Sequence, residues 1–466
     1  MAETVSPSAI TTMLVPISPD GGWGWVVVAG TFFVHVFADG FVYSLGVLVD
    51  ALITEFNSDN TVAAMIISML TGLTLGCGPL ASAICNKFGC RVTTIIGAII
   101  SMTGCAASYF AAEMWHIIIS VGVVMGVGCG LMYCPAIIAV TMYFEKHFLI
   151  QKYHEFDCRR RSLATGIAVT GAGVGTVVFS TINEFVISSY GWRAVFLVFV
   201  GAFALCIVCG STFRPLPFQE VSDGTEADDV FVAKKPDDSK MRHATILLFR
   251  STGSLRRGST STTATLETLH EIREAGGDEP KEVDADNATG SNMRQTIAKM
   301  MSLSLLLDPV YLLFAAANLL TSVGFNSPLY FLPLHAVKGV GLDAATASRL
   351  LSVFGICNTL GRIFFGVVAD RKLPLPRGFG GDVARNRLWM YNLTLTLCGL
   401  LTTFSFLCSD FITLAIYSGS FGFLISAYIC LTSVVLVDLL GLAKLTNAFG
   451  LLLLWQVISF LKCSLF

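Results

Sequence analysis

Charge is scarce in this chain. Only 13% of its 466 residues are Asp, Glu, Lys or Arg, about half the share usual in a soluble protein of this length. That scarcity argues against an ordinary soluble domain; a formal net charge of −2 says little about partners, and no nucleic-acid partner is expected. A cleavable signal peptide is also lacking, because residues 1–20 have neither a basic start nor an apolar core. Enzyme chemistry finds no foothold: there is no nucleophile–base pair, phosphate-binding loop or metal-ligand spacing, so no cofactor or metal is expected. The 14 cysteines do not form a secreted disulfide pattern. Most lie inside apolar runs, as Cys77, Cys105, Cys206 and Cys430 do, where they behave as small hydrophobes. Cys206 and Cys209 make a C-x-x-C without a His or acidic neighbour, a poor metal or redox site.

What the chain has instead is apolar length. It is 54% hydrophobic with a mean hydropathy of +0.71, gathered into runs of about twenty residues, enough for a helix to cross a ~30 Å hydrocarbon core. The runs predict eleven spans: Trp25–Val49, Val62–Cys85, Val92–Phe110, Trp115–Met142, Leu163–Ile187, Arg193–Phe213, Pro309–Leu332, Ala347–Val368, Leu388–Leu407, Phe411–Val437 and Leu445–Leu465. Between the sixth and seventh, from Arg214 to Gln295, the composition turns to Ser, Thr, Asp, Glu and Lys, too polar to bury a core and expected to be disordered. The expected organisation is a cytoplasmic tail (1–24), a six-helix bundle (25–213), a cytoplasmic central segment (214–308) and a five-helix bundle (309–466).

Lys and Arg set the orientation. Lys87 and Arg91 follow the second span, Lys146, Lys152 and Arg159–Arg161 the fourth, and Arg371, Lys372, Arg377, Arg385 and Arg387 the eighth. The intervening loops hold almost none beyond Lys338 and Arg193. The alternation places the amino terminus and the basic loops in the cytoplasm. The stretch ending in Asn86-Lys87 and Arg91 recurs six spans later as Asp370-Arg371. This echo fits duplicated halves with a substrate site between them, and makes these five residues candidates for a conformational gate.

Several short stretches carry a family resemblance. Asp20-Gly21-Gly22-Trp23-Gly24-Trp25 stands at the entrance to the first span, and Tyr143-Phe144-Glu145-Lys146 resumes as Arg160-Arg161-Ser162-Leu163-Ala164. With Gly191-Trp192-Arg193, Asp308-Pro309 and the stretch Gly355 to Arg371, they resemble the monocarboxylate transporter family, a branch of the major facilitator superfamily. The resemblance implies an all-α membrane protein of two six-helix bundles. It also implies a small organic anion as substrate, alternating access, a plasma-membrane location in the lipid bilayer, and a single-span ancillary glycoprotein as partner. The best-known cargo of such proteins is lactate, pyruvate or ketone bodies; other members carry aromatic amino acids, thyroid hormones, creatine or carnitine.

Three departures shape the expectation. Residues 147–159 interrupt the run from the fourth to the fifth span and read as an insertion in a cytoplasmic loop. Similarity fades after Gln456, so the expected fold has about eleven transmembrane helices with the twelfth missing. Tyr43 stands where proton-linked members have Lys, and Asn358 where they have Asp, which argues against proton coupling of their type.

Arg362 is the leading candidate for chemistry. An arginine in mid-helix costs roughly 2.5–3.5 kcal/mol on insertion scales and marks a functional site by default. Its planar fork can hold a carboxylate bidentately, and it matches the family's substrate-binding arginine. Snorkelling from near a helix end is the plainer account. Asn358 shares its face four residues earlier, and Tyr43 can donate a hydrogen bond to substrate. His35 and Asp39, also four apart, could pair as a proton relay or simply satisfy each other. In the central segment, Arg256-Arg257-Gly258-Ser259 fits a basophilic kinase site at Ser259. The leading reading is secondary transport of small carboxylates; the alternative is a non-transporting sensor, scaffold or inactive truncated isoform.

Overall fold

The computed structural model describes residues 12–16, 22–144, 160–215, 218–222, 303–371 and 382–463. Asp20, Gly21, Lys146, the 147–159 segment and Ser259 lie outside the described residues. Contacts divide the chain into two compact units. The first contains the strands β1 (Thr12–Pro16) and β2 (Phe218–Ser222), paired antiparallel with Thr12 opposite Ser222 and Pro16 opposite Phe218.

The second unit is helical. In chain order its helices are α1 (Gly22–Phe56), α2 (Asn60–Gly76), α3 (Gly78–Tyr109), α4 (Met114–Tyr143), α5 (Arg161–Tyr190) and α6 (Trp192–Ser211). After the central segment come α7 (Pro309–Lys338), α8 (Ala344–Ala369), α9 (Val383–Thr403), α10 (Phe411–Leu440) and α11 (Leu442–Cys463). Local chemistry starts several of them. Asp308 caps α7 by accepting from the Val310 N–H at 3.1 Å, with Pro309 in the first turn, where its missing N–H costs nothing. Asp382 caps α9 by accepting from the Ala384 N–H at 3.2 Å. The rod α4 is π-helical from Ile118 to Met125, a wider winding that often marks functional sites.

The expectation of eleven spans in two six-helix bundles lacking the twelfth helix is corrected here. Among the described residues, eight helices are long and apolar enough to cross a membrane: Gly22–Gly46, Gly78–Tyr109, Met114–Tyr143, Arg161–Tyr190, Trp192–Ser211, Arg349–Ala369, Val383–Leu407 and Phe411–Leu440. The second expected span, Val62–Cys85, is broken at Cys77, where ψ swings to 0°, and Pro79 opens the next helix. The apolar part of α2, Met65–Gly76, is left short. The tail of that span joins α3, which kinks at Gly89 (φ 85°), a backbone position that glycine alone adopts freely. The seventh expected span keeps a short apolar stretch, Pro309–Phe325. The eleventh falls on α11, which opens with Lys444, Thr446 and Asn447 and is not one of the eight.

The apolar core forms two clusters. One is built from residues 27–213 around Phe41, Phe196, Phe199 and Phe203. The other centres on residues 305–453, but also draws in Ala81, Leu131, Cys134, Ile137, Ile138 and Val169 from the first half. The two halves therefore share part of this second core. They touch along two glycine seams. A Cβ at Gly166 of α5 would stand 2.7 Å from the Arg362 carbonyl of α8, and one at Gly366 would stand 3.0 Å from the Ser162 carbonyl. Gly78 of α3 and Gly450 of α11 likewise face each other's carbonyls, at 2.5 and 2.6 Å from the missing Cβ positions. Small residues let helix backbones come this close where no hydrophobic drive acts between helices.

Candidate functional site

Arg362 projects from α8 between the two halves. The residue is 8% exposed, and its Nη1 donates to the Val169 carbonyl of α5 at 2.6 Å. Its Nε makes no hydrogen bond among the described residues. Across from it, α1 contributes Asp39 (8% exposed) and His35 (1%). Asp39 feels the charges of both His35 and Arg362, and Arg362 in turn lies within electrostatic reach of Tyr43, Asp39, Tyr133 and Cys430. Five helices thus converge: α1, α4, α5, α8 and α10.

The remaining candidates take distinct places. Asn358 is buried and donates from Nδ2 to the Gly422 carbonyl of α10 at 3.0 Å, which commits its amide to helix packing. Tyr43 is 63% exposed, close to the charged cluster. His35 turns its Nδ1 to the Thr31 carbonyl at 2.8 Å rather than towards Asp39, one turn further along α1. Two tyrosines passed unnoticed in the sequence. Tyr133 of α4 packs edge-on against the His35 ring, with centroids 5.6 Å apart. It also lies within reach of Tyr428 of α10. The Tyr428 hydroxyl accepts from Gln456 Nε2 of α11 at 3.0 Å and sits 3.4 Å from Ser322 Oγ of α7. A tyrosine in an apolar run carries no signal of its own, since the ring suits a core as well as a cavity wall.

Toward the ends of α5 and α8 that adjoin the basic loops, the halves are fastened by charge. The Asp370 carboxylate accepts from the backbone N–H groups of Ser162 (3.1 Å) and Leu163 (2.9 Å). An anion at a helix amino terminus meets unpaired donors and the positive end of the helix dipole. Arg387 of α9 binds Asp370 at 3.0 Å and Asp438 of α10 at 3.0 Å, and Arg161 of α5 reaches Asp438 at 3.5 Å. Of the five expected gate residues, Asp370 belongs to this network, and Asn86 donates to Asn447 Oδ1 of α11 at 2.6 Å. Lys87, Arg91 and Arg371 are exposed. Lys87 and Arg91 flank the kink inside α3 rather than a loop. Arg161 and Arg387 were read from the sequence only as basic loop residues, and Asp438 was not singled out, although it is the lone acid in an apolar run, a signal that was there to be read.

The signature residues gather at the same end. Trp23 donates from Nε1 to the Thr212 carbonyl at 3.0 Å, and the Arg214 guanidinium lies over its ring at 3.8 Å. The Tyr143 hydroxyl donates to the Arg214 carbonyl at 2.6 Å. Trp25 meets Phe144 edge-on at 5.4 Å, and Gly22 is exposed. The Phe144 carbonyl lies 3.5 Å from Arg161 Nε, which links this aromatic clamp to the ion network. Arg160 is exposed.

Comparison with known proteins agrees with this architecture. Residues 31–461 match the model of the Major Facilitator Superfamily. The chain is 27% identical over 443 residues to monocarboxylate transporter 12 of Xenopus laevis, covering 95% of this chain and 81% of the relative. It is 30% identical over 463 residues to monocarboxylate transporter 14 of Homo sapiens, covering 94% and 83%. Among solved structures, the proton:xylose symporter XylE bound to 6-bromo-6-deoxy-D-glucose superposes with a TM-score of 0.59 at 14% identity, over 95% of this chain and 87% of that one, a likeness of fold alone. Long apolar helices, halves joined through glycine seams, charged side chains buried between them and a family match over most of the length lead to one conclusion: the chain belongs to the Major Facilitator Superfamily, as a multi-pass membrane transport protein whose fold is one of transport rather than catalysis.

Proposed function

We propose that this protein carries small organic carboxylates across the membrane by alternating access, with Arg362 as the anchor for the carboxylate. The observation that supports it most is the Arg362 guanidinium, buried between the halves with a hydrogen bond to the Val169 carbonyl and its Nε unpaired among the described residues. A permanently charged group so placed favours an anion, and its fork matches a carboxylate in geometry. The names of the relatives point to the same class of cargo.

In this reading the halves on either side of the central segment 214–308 rock about the site. The Asp370–Arg387–Asp438–Arg161 network and the Asn86–Asn447 bond hold the basic-loop end shut, the end that faces the cytoplasm by the positive-inside rule. Opening that end breaks the Asp370 contacts with the start of α5. Coupling does not run through α8, because Asn358 takes up no proton and its amide is committed to Gly422. The carboxylate of Asp39 and the imidazole of His35, one turn apart on α1 and near Arg362, are the groups that can accept one.

The test is uptake by liposomes containing the purified full chain, offered radiolabelled short carboxylates, a neutral sugar and an organic cation. Saturable entry of carboxylates alone is the expected result. Entry of the sugar or the cation with exclusion of every carboxylate contradicts the reading.

A further inference from the structure

His35 holds an unspent acceptor at the edge of the charged cluster. Its Nδ1 stands 2.8 Å from the Thr31 carbonyl, which can only accept, so Nδ1 carries the hydrogen. In the neutral ring the other nitrogen, Nε2, is then a lone pair in search of a donor. The residue is 1% exposed, and Nε2 is buried without a hydrogen-bond partner among the described residues. Its neighbours do not repair this. The Thr31 hydroxyl is turned to the Ala136 carbonyl at 3.3 Å. Tyr133 offers the imidazole its ring. Asp39, when ionised, is itself an acceptor.

Packing fixes the orientation. His35 Cβ lies against Gly171 of α5, where a Cβ would stand 3.2 Å away, and Tyr133 flanks the ring. A buried polar atom left unpaired costs free energy, and a transporter offsets that cost when its substrate brings the missing partner.

We propose that His35 Nε2 accepts a hydrogen bond from the substrate, so that the site selects carboxylates bearing a hydroxyl or amine donor. The inference rests on the carboxylate reading of the Arg362 site and adds a second point of recognition on α1. An α-oxo carboxylate presents only acceptors to Nε2 and is disfavoured, below even the unsubstituted acid.

The experiment uses the full chain in liposomes at mildly alkaline pH. It compares α-hydroxypropanoate with propanoate and α-oxopropanoate, and β-hydroxybutanoate with butanoate. In the wild type, at least one hydroxy acid should exceed its unsubstituted partner in kcat/KM by on the order of 10-fold, the scale of one buried hydrogen bond. His35→Phe keeps a ring against Tyr133 without an acceptor. Whatever it does to overall uptake, it should bring the ratio of kcat/KM for that hydroxy acid over its unsubstituted partner down to about one, while His35→Gln, whose amide oxygen accepts, should restore part of that ratio. Equal uptake within both wild-type sets, or a preference for the oxo acid, overturns the assignment without recourse to any variant and leaves the carboxylate site standing. So does a preference that survives in His35→Phe. Exclusion of every carboxylate overturns the site reading and this inference together.

Discussion

Asp438 shows how much one side chain can hold. It takes Arg387 at 3.0 Å and Arg161 at 3.5 Å, and all three are largely buried. Removing one partner of a buried ion pair strands the other charges and costs about 3–5 kcal/mol. Asp438→Asn should therefore lower the melting temperature in detergent by several degrees. An unchanged melting temperature would mean that the carboxylate contributes only its packing. Arg362 was legible from the sequence because charge inside an apolar run is expensive. Arg161 and Arg387 were not, because bases at helix ends ordinarily face water, and only the folded chain shows these two turned inward. Asp39 carries a second prediction at this scale. If it is the proton-accepting group, a steep dependence of uptake on an imposed proton gradient should flatten in Asp39→Asn; unchanged steepness would exclude it.

Among the elements, α5 against α8 is the contact on which the proposed alternation between states turns. A side chain at Gly166 meets the Arg362 carbonyl, and overpacking of this sort costs about 1–3 kcal/mol. That cost falls only on the state in which α5 and α8 touch, and corresponds to a population shift of about 5- to 150-fold. Gly166→Val should thus spring the basic-loop end open. A cysteine introduced at Ser162 should then react faster with a membrane-impermeant maleimide from that side, and uptake should fall; unchanged labelling would show that the seam is not under tension. The apolar runs made the helices legible, but not their breaks. Hydropathy averages over Gly76-Cys77-Gly78-Pro79, where the backbone stops one helix and starts the next. Lys87 and Arg91 consequently read as a loop when they sit on either side of a kink inside α3. The resemblance placed Trp23, Trp25, Tyr143 and Phe144 in one family signature. Only the fold shows them meeting Arg214 and the carbonyl beside Arg161.

At the scale of the whole molecule, the class was written in the composition and the span count was not. Low charge and long apolar runs pointed to a helical membrane protein, whereas eight helices rather than eleven meet the length and hydropathy of a span among the described residues. The two halves share a core through Val169, Ile137 and Leu131, so a change at their interface is felt at the site, where Val169 also holds Arg362. In the proposed function this interface presents Arg362 to a carboxylate. The most direct measurement is saturable uptake of a radiolabelled short carboxylate by liposomes containing wild type, Arg362→Ala or Arg362→Lys at equal protein incorporation. Saturable uptake by the wild type is expected, with loss of more than about tenfold in the alanine variant and partial recovery with lysine, which keeps the charge without the planar fork. Wild-type uptake retained by correctly folded Arg362→Ala would contradict it.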